Sequence, residues 1–247
     1  TGFRDLFRAH DGYVLIGLDY SQQELRVAAL VTGDKALLKI YEEGGDVHTN
    51  TAASILKKEK ETVTKQERQL AKAVIFGLLY GQGAKGLARY ARQQYGVEMS
   101  EKEAELHRSA LFRTYPDLRE WQKATGNLVK STGRIRTQCG RLRDFNQEQE
   151  GYRFTAALNL PIQGAAAEIT LRAVTRLTPF LSNEFRLVNV VHDEILLEII
   201  ESRAQEAAEI ATVVMEAAFL DVFPSSKPYL KNLVEAKIGK NWYLTKA

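Results

Sequence analysis

Cysteine is almost missing from this sequence: Cys139 stands alone among 247 residues. One thiol excludes an intrachain disulfide and a zinc cage built on several cysteines, and it fits a reducing compartment. No apolar run reaches the roughly 18 residues of a bilayer-spanning helix, so no membrane association is expected. Thr1 to Asp5 lack the charged-then-apolar order of a secretory leader. An intracellular location (cytoplasm, nucleoid or an organelle) is therefore expected, not secretion. An excess of one charge sign is all but missing as well. The 34 Lys and Arg against 31 Asp and Glu leave a net +3, too little to imply a polyanionic partner. Internal repeats and low-complexity linkers are absent. With 45% hydrophobic and 26% charged residues, composition places the chain among soluble globular domains and says no more.

The order of apolar and polar segments carries more. Tyr13 to Leu18 is an apolar run after Asp11-Gly12 and ends at Asp19, the pattern of a buried strand capped by a carboxylate. A helix is expected from about Gln22 to Leu30. The stretch from Lys35 to about Phe112 reads as helical, punctuated at Gly44-Gly45 and Gly81-Gln82-Gly83. Pro116 suits the first turn of a further helix running to about Val129. Arg134, Arg136, Arg141 and Arg143 flank Cys139-Gly140, predicting a short basic hairpin, as apt for solvent as for phosphates. A helix broken near Pro161 should run to about Phe180. Two apolar runs, Arg186 to Val191 and Ile195 to Ile200, predict a β-hairpin with His192-Asp193-Glu194 at its tip. A helix over Arg203 to Leu220 and a strand over Leu233 to Ile238 complete the pattern.

Three constellations bear on chemistry. Asp19 ends a buried strand, a poor place for packing and a good one for projecting into a cleft; a helix N-cap by Asp19 or Ser21 explains the segment as well. Asp193 and Glu194 form an acidic turn, which open solvent would also favour. Taken together, the acidic strand ends make a two-carboxylate site for magnesium, which takes hard oxygen ligands and keeps some of its waters. Two such ions about 3.5 to 4 Å apart can assist an in-line displacement at phosphorus. The third constellation is Arg68, Lys72, Phe76 and Tyr80, spaced by four along a helix. Each step rises about 6 Å and drifts about 40°, so the series runs about 18 Å along one side. Cations followed by aromatics suit a nucleoside triphosphate, phosphates first and base last. An amphipathic helix with core rings and snorkelling cations has the same pattern. Gly77 and Gly81 beside the rings would admit a ligand or a neighbouring backbone.

These segments resemble DNA polymerase family A, the bacterial DNA polymerase I type. Asp19-Tyr20-Ser21-Gln22-Gln23-Glu24-Leu25-Arg26 is similar to its motif A. Arg68-x3-Lys72-x3-Phe76-Gly77-x2-Tyr80-Gly81 is similar to motif B, and Val191-His192-Asp193-Glu194 to motif C. Asn159 to Gly164 and Gly239-Lys240-Asn241-Trp242 also match in order and spacing.

The resemblance implies an α+β fold. A palm with a small antiparallel sheet would comprise residues 1–34 and 131–247, and a helical fingers subdomain residues 35–130. It implies template-directed transfer of deoxynucleotides to a primer 3′-hydroxyl, with primer–template DNA and deoxynucleoside triphosphates as partners of a monomeric catalytic unit. Asp19 and Asp193 would hold two Mg2+ ions (Mn2+ tolerated), with the Tyr20 carbonyl as a further ligand and Glu194 in support. His48, Arg68 and Lys72 would contact the triphosphate, and Lys72 would protonate the leaving pyrophosphate. Phe76 would pack on the sugar, Tyr80 near the template base, and Glu24 against a ribose 2′-hydroxyl. Asn159, Gln163 and His192 would contact DNA. Gln23 and Ile75 depart from the family pattern of Ile and Asn and bear on selectivity, and Thr155 stands where relatives often carry a DNA-contacting Arg. The chain starts just before motif A, so the thumb is expected to be absent from it, and the chain to be the C-terminal part of a longer polymerase or a minimal one. Within enzymes the rivals are a single-subunit RNA polymerase or a reverse transcriptase; Glu24 opposes the first and the motif B helix the second. From another class the rival is a catalytically silent primer–template-binding module.

Overall fold

The structure, a computed structural model, describes residues 2–148 and 153–246. Strand β1 (Tyr13–Tyr20) leads into helix α1 (Gln23–Thr32). Helices α2 (Lys35–Glu42), α3 (Val47–Leu56), α4 (Lys65–Leu79), α5 (Ala84–Tyr95), α6 (Glu101–Thr114) and α7 (Pro116–Thr132) follow. Strands β2 (Arg134–Arg136) and β3 (Leu142–Asp144) pair as the expected basic hairpin. Then come helix α8 (Phe154–Asn159), a π-helical turn over Leu160–Gly164, and helix α9 (Ala165–Leu177). Strands β4 (Phe185–Val191) and β5 (Glu194–Ile200), helix α10 (Ala204–Val222) and strand β6 (Val234–Gly239) complete the order. The α+β class expected from the sequence is observed.

Two compact units result: Thr1–Glu24 with Ala165–Ala247, and Leu25–Gly164. The expected helical segment 35–130 lies within the second. In the first unit an antiparallel sheet has the order β4-β5-β1-β6. Apolarity ranks its strands. β1 and β5 are buried along almost their whole length and take the centre, whereas β4 and β6 alternate or expose their side chains and take the edges. A Cβ on Gly17 of β1 would lie 2.6 Å from the Thr245 carbonyl oxygen, so the glycine lets the turn Tyr243–Thr245 seat directly on the sheet. Gly17→Ala is expected to lower stability by about 1–3 kcal/mol through overpacking, read from urea denaturation. An unchanged midpoint would show that the turn is only loosely seated.

The second unit is built from capped helices. Asp34, fully buried, serves two of them at once. Its Oδ1 accepts from the Ala36 and Leu37 amides at 3.1 Å, and its Oδ2 from Asp117 and Leu118 at 3.1 and 3.2 Å. This carboxylate thus ties the starts of α2 and α7 together. Capping boxes at Thr64/Glu67 and Ser100/Glu103 open α4 and α6. The breaks at 57–64 and 96–100 were not expected within the helical stretch. Lys57 at φ 55° and Gly96 at φ 64° stop α3 and α5, and the two boxes restart the chain.

Candidate active site

The acidic segments meet in the first unit. Asp19, near the end of β1, is the cross-strand partner of Glu194 at the start of β5. Glu194 therefore belongs to the strand and not to the hairpin tip, which consists of His192 and Asp193 between the paired Val191 and Glu194. The Tyr20 amide donates to the Asp193 carbonyl at 3.4 Å, so both acidic turns are bound into one strand end. His192 (φ 56°) and Gln22 (φ 53°) occupy the left-handed region without being glycine. Such backbone costs about 1–3 kcal/mol per residue and tends to mark functional turns.

Electrostatics at this strand end are those of crowded negative charge. Burial raises the Asp19 pKa, opposed by Lys246 and reinforced by Glu194. Asp193 is pushed up to about 6, first by burial and then by the charges of Asp19 and Glu24. Glu194 is buried; its Oε1 accepts from Trp242 Nε1 at 2.7 Å. Its Oε2 accepts no well-angled hydrogen bond, and the Lys246 ammonium faces it at 2.6 Å. The same ammonium lies 3.5 Å from Asp19 Oδ2. The Tyr20 side chain points into the core, its hydroxyl donating to the Met215 carbonyl at 2.7 Å, so only its main chain can serve the site. Among the described residues no group of three or more His, Cys, Asp or Glu could hold a metal unaided. Magnesium needs fewer, because waters and substrate phosphates complete its shell. An ammonium already standing between two carboxylates shows that these oxygens accept a cation, and the residues fit a hard divalent ion.

The cationic helix lies in the second unit. Asp46 caps α3 through the Thr49 amide at 3.0 Å and clamps Arg68 twice, Nε at 2.8 Å and Nη2 at 3.1 Å. Arg68 and Thr49 together hold the Asp46 carboxyl far below the usual range. His48, on the capped turn, has its ring 5.9 Å from Phe76. Burial, with Arg68 and Lys72 nearby, lowers its pKa to about 4, so it is neutral at physiological pH. Its buried Nδ1 has no partner. Lys72 and Phe76 are half-buried, and Tyr80 caps α4 beyond its last residue, Leu79. The structure thus brings His48, Arg68, Lys72 and Phe76 together. The room left by Gly77 is taken by Leu87 and Tyr90 of α5, and that by Gly81 (φ 76°) by Leu158 and Phe154, so packing accounts for both.

Asn159 ends α8 with its Oδ1 buried and unpartnered, and Gln163 is exposed on the π-helical turn that Pro161 forces. His192, the third expected DNA contact, belongs to the first unit. A cavity of about 400 Å³ in the second unit is lined by Arg108, Arg119, Lys123 and Lys130 with no carboxylate, and by Phe112 and Phe154. Of the departing residues, Gln23 is buried against Thr170 at 3.3 Å and Ile75 is buried in the core, so both serve packing; Thr155 is exposed.

Sequence reasoning missed Asp46, Trp242 as a donor to Glu194, and Lys246. Asp46 was findable, since an Asp after Gly44-Gly45 and directly before an apolar helical segment is an N-cap candidate. Nothing in the sequence singles out Lys246.

The sequence model of DNA polymerase family A matches residues 1–244. DNA polymerase I of Aquifex aeolicus (strain VF5) is 38% identical over 97% of this chain and 41% of its own length. The thermostable DNA polymerase I of Thermus aquaticus is 35% identical over 98% of the chain and 28% of its own length. Among solved structures, the POL domain of Pol1 from M. smegmatis, in complex with DNA primer-template and dNTP, aligns with a TM-score of 0.82 at 27% identity. That alignment covers 98% of this chain and 42% of the other. The chain spans less than half the length of each of these relatives.

Proposed function

Since this chain belongs to DNA polymerase family A, we propose that it carries out template-directed DNA synthesis, joining deoxynucleotides to a primer 3′-hydroxyl. The observation that carries this reading is the pairing of two acidic strand ends, with Asp193 driven up to about 6 beside Asp19. Carboxylates crowded in this way at one partly buried strand end suit a site that takes cations.

In the proposed reaction the primer 3′-hydroxyl gives its proton to solvent as its oxygen bonds to the α-phosphorus, the bond from that phosphorus to the bridging oxygen breaks, and pyrophosphate leaves. Mg2+, or Mn2+ in its place, would be held by Asp19, Asp193 and the Tyr20 carbonyl, and supplies charge neutralisation and a more acidic 3′-hydroxyl. Glu194 keeps Asp19 in place across the strands. Lys72 gives a proton to the departing pyrophosphate, with Arg68 and a neutral His48 donating hydrogen bonds to phosphate oxygens. Phe76 and Tyr80 bear on the sugar and base, and Glu24 excludes a 2′-hydroxyl. Asn159, Gln163 and His192 contact primer–template DNA. The cationic cavity supports a nucleic-acid partner: Arg108 and Lys123 are paired with Glu105 and Glu120, and Arg119 and Lys130 add charge for phosphates. In the family's terms residues 1–34 and 131–247 are palm and 35–130 fingers, acting as one intracellular, monomeric catalytic unit.

Primer extension with magnesium tests this. Extension with deoxynucleotides is expected, and Glu24→Ala should raise ribonucleotide incorporation by about 10²-fold, read on DNA and RNA templates. DNA binding without extension would favour the silent binding module instead.

A further inference from the structure

The turn after β6 delivers a cation to the acids, and several independent contacts build it. Gly17 admits Thr245 onto β1, the Thr245 hydroxyl donates to the Trp242 carbonyl at 2.9 Å, and Trp242 Nε1 holds Glu194. Lys237 Nζ then donates to the Lys246 carbonyl at 3.0 Å, fixing the main chain of Lys246. From that anchor the Lys246 ammonium reaches Glu194 Oε2 and Asp19 Oδ2, which belong to neighbouring strands. Glu235, cross-strand partner of Asp19 on the other side, adds a further negative charge to Asp19's surroundings.

We propose that Lys246 is a resident counter-cation: its ammonium occupies the metal-free acid pair and must swing aside when a divalent ion binds. The inference rests on the reading of Asp19 and Asp193 as metal ligands. Three carboxylates gathered at one strand end need positive charge whether or not metal is present. In its absence the Lys246 ammonium, in reach of both Asp19 and Glu194, limits the net charge. An ammonium within a few ångströms of a doubly charged ion is repelled by it, and the repulsion is strong where water is partly excluded. Lysine suits the part, being a compact point charge on a flexible stem that can withdraw without moving the backbone. Lys246 is therefore a positioning residue that sets the metal threshold of the site, holding Asp19 and Glu194 in mutual orientation until metal replaces it.

Titration with Mn2+, followed by the loss of the free-ion electron paramagnetic resonance signal, decides this without any turnover. Lys246→Met should tighten Mn2+ binding by about tenfold, because a competing charge is gone. It should also lower the melting temperature in EDTA, and Mn2+ should restore it. Lys246→Arg keeps the charge and should leave Mn2+ affinity within about twofold of wild type. Equal or weaker Mn2+ binding by Lys246→Met, with the fold intact by circular dichroism, would overturn the counter-cation role. Asp19→Asn provides the separate control. It should lose Mn2+ binding if the metal assignment holds, and wild-type affinity in that variant would sink the metal reading itself and this inference with it.

Discussion

Asp193→Asn is expected to reduce primer extension by about 10³-fold or more while making the metal-free protein more stable at neutral pH. Both effects come from one feature. Wild-type Asp193 is a carboxylate held against burial and against the charge of Asp19, which is why its pKa stands near 6 and not at 3.8. A carboxyl whose folded pKa is raised contributes stability that is complete below its unfolded pKa and is lost as pH rises through the folded value. Near pH 7 the wild-type fold therefore carries a strained charge that asparagine removes, whereas near pH 4 the wild-type group is already protonated and the two proteins should match. Asparagine keeps the size and turn-forming habit of the residue, so the two-residue turn at His192 persists. Urea denaturation in EDTA at the two pH values measures the stability arm; the difference between variants, not the absolute values, is diagnostic. His48 titrates in the opposite sense in the other unit and cancels from that difference. A variant that extends primers at near-normal rates would remove Asp193 from the metal site. A stability gap equal at both pH values would deny that its charge is strained.

That stability is sacrificed where function is proposed also explains which parts of the fold were legible in sequence. β1 and β5 announce themselves because both faces are buried and their residues are apolar almost without interruption. The break at 57–64 is hard to read because it turns on Lys57 adopting a left-handed backbone, which its side chain gives no reason to expect, whereas Gly96 and the Ser100/Glu103 box do mark the break at 96–100. The acids at 19 and 193 were legible only together: alone, one reads as well as a helix cap and the other as a solvated turn, and their combination with the 68–80 pattern marks them. Glu194 was assigned to the tip because sequence cannot distinguish the last residue of a turn from the first of a strand; the pairing with Asp19 decides it. Lys246 lay beyond sequence reasoning altogether. Its role depends on a chain of contacts through Gly17, Thr245 and Trp242 that no local pattern encodes.

Lys72→Ala is expected to lower kcat/KM for deoxynucleotides by about 10²- to 10³-fold, a larger loss than Arg68→Ala causes. From sequence the two cations look equivalent, one turn apart on the same side of α4. The structure separates them. Arg68 is committed to Asp46 by two short hydrogen bonds, so its charge is largely spent on the cap of α3. Lys72 has no carboxylate partner in ion-pair reach among the described residues, and its half-buried ammonium sits beside a neutral His48. A phosphate arriving there meets an uncompensated charge at Lys72, but must share Arg68 with Asp46. Removing Lys72 should therefore cut kcat, through loss of the proton given to pyrophosphate, as well as raise KM. Removing Arg68 should cost about tenfold, mainly in KM, with a small loss of stability from the uncapped carboxylate. Neither change should alter the affinity for primer–template DNA by more than about twofold, since both act on the incoming triphosphate. Steady-state kinetics with a single nucleotide, paired with DNA binding measured by fluorescence anisotropy, separates the terms. A larger effect at Arg68 than at Lys72 would mean that Asp46 releases its partner when nucleotide binds.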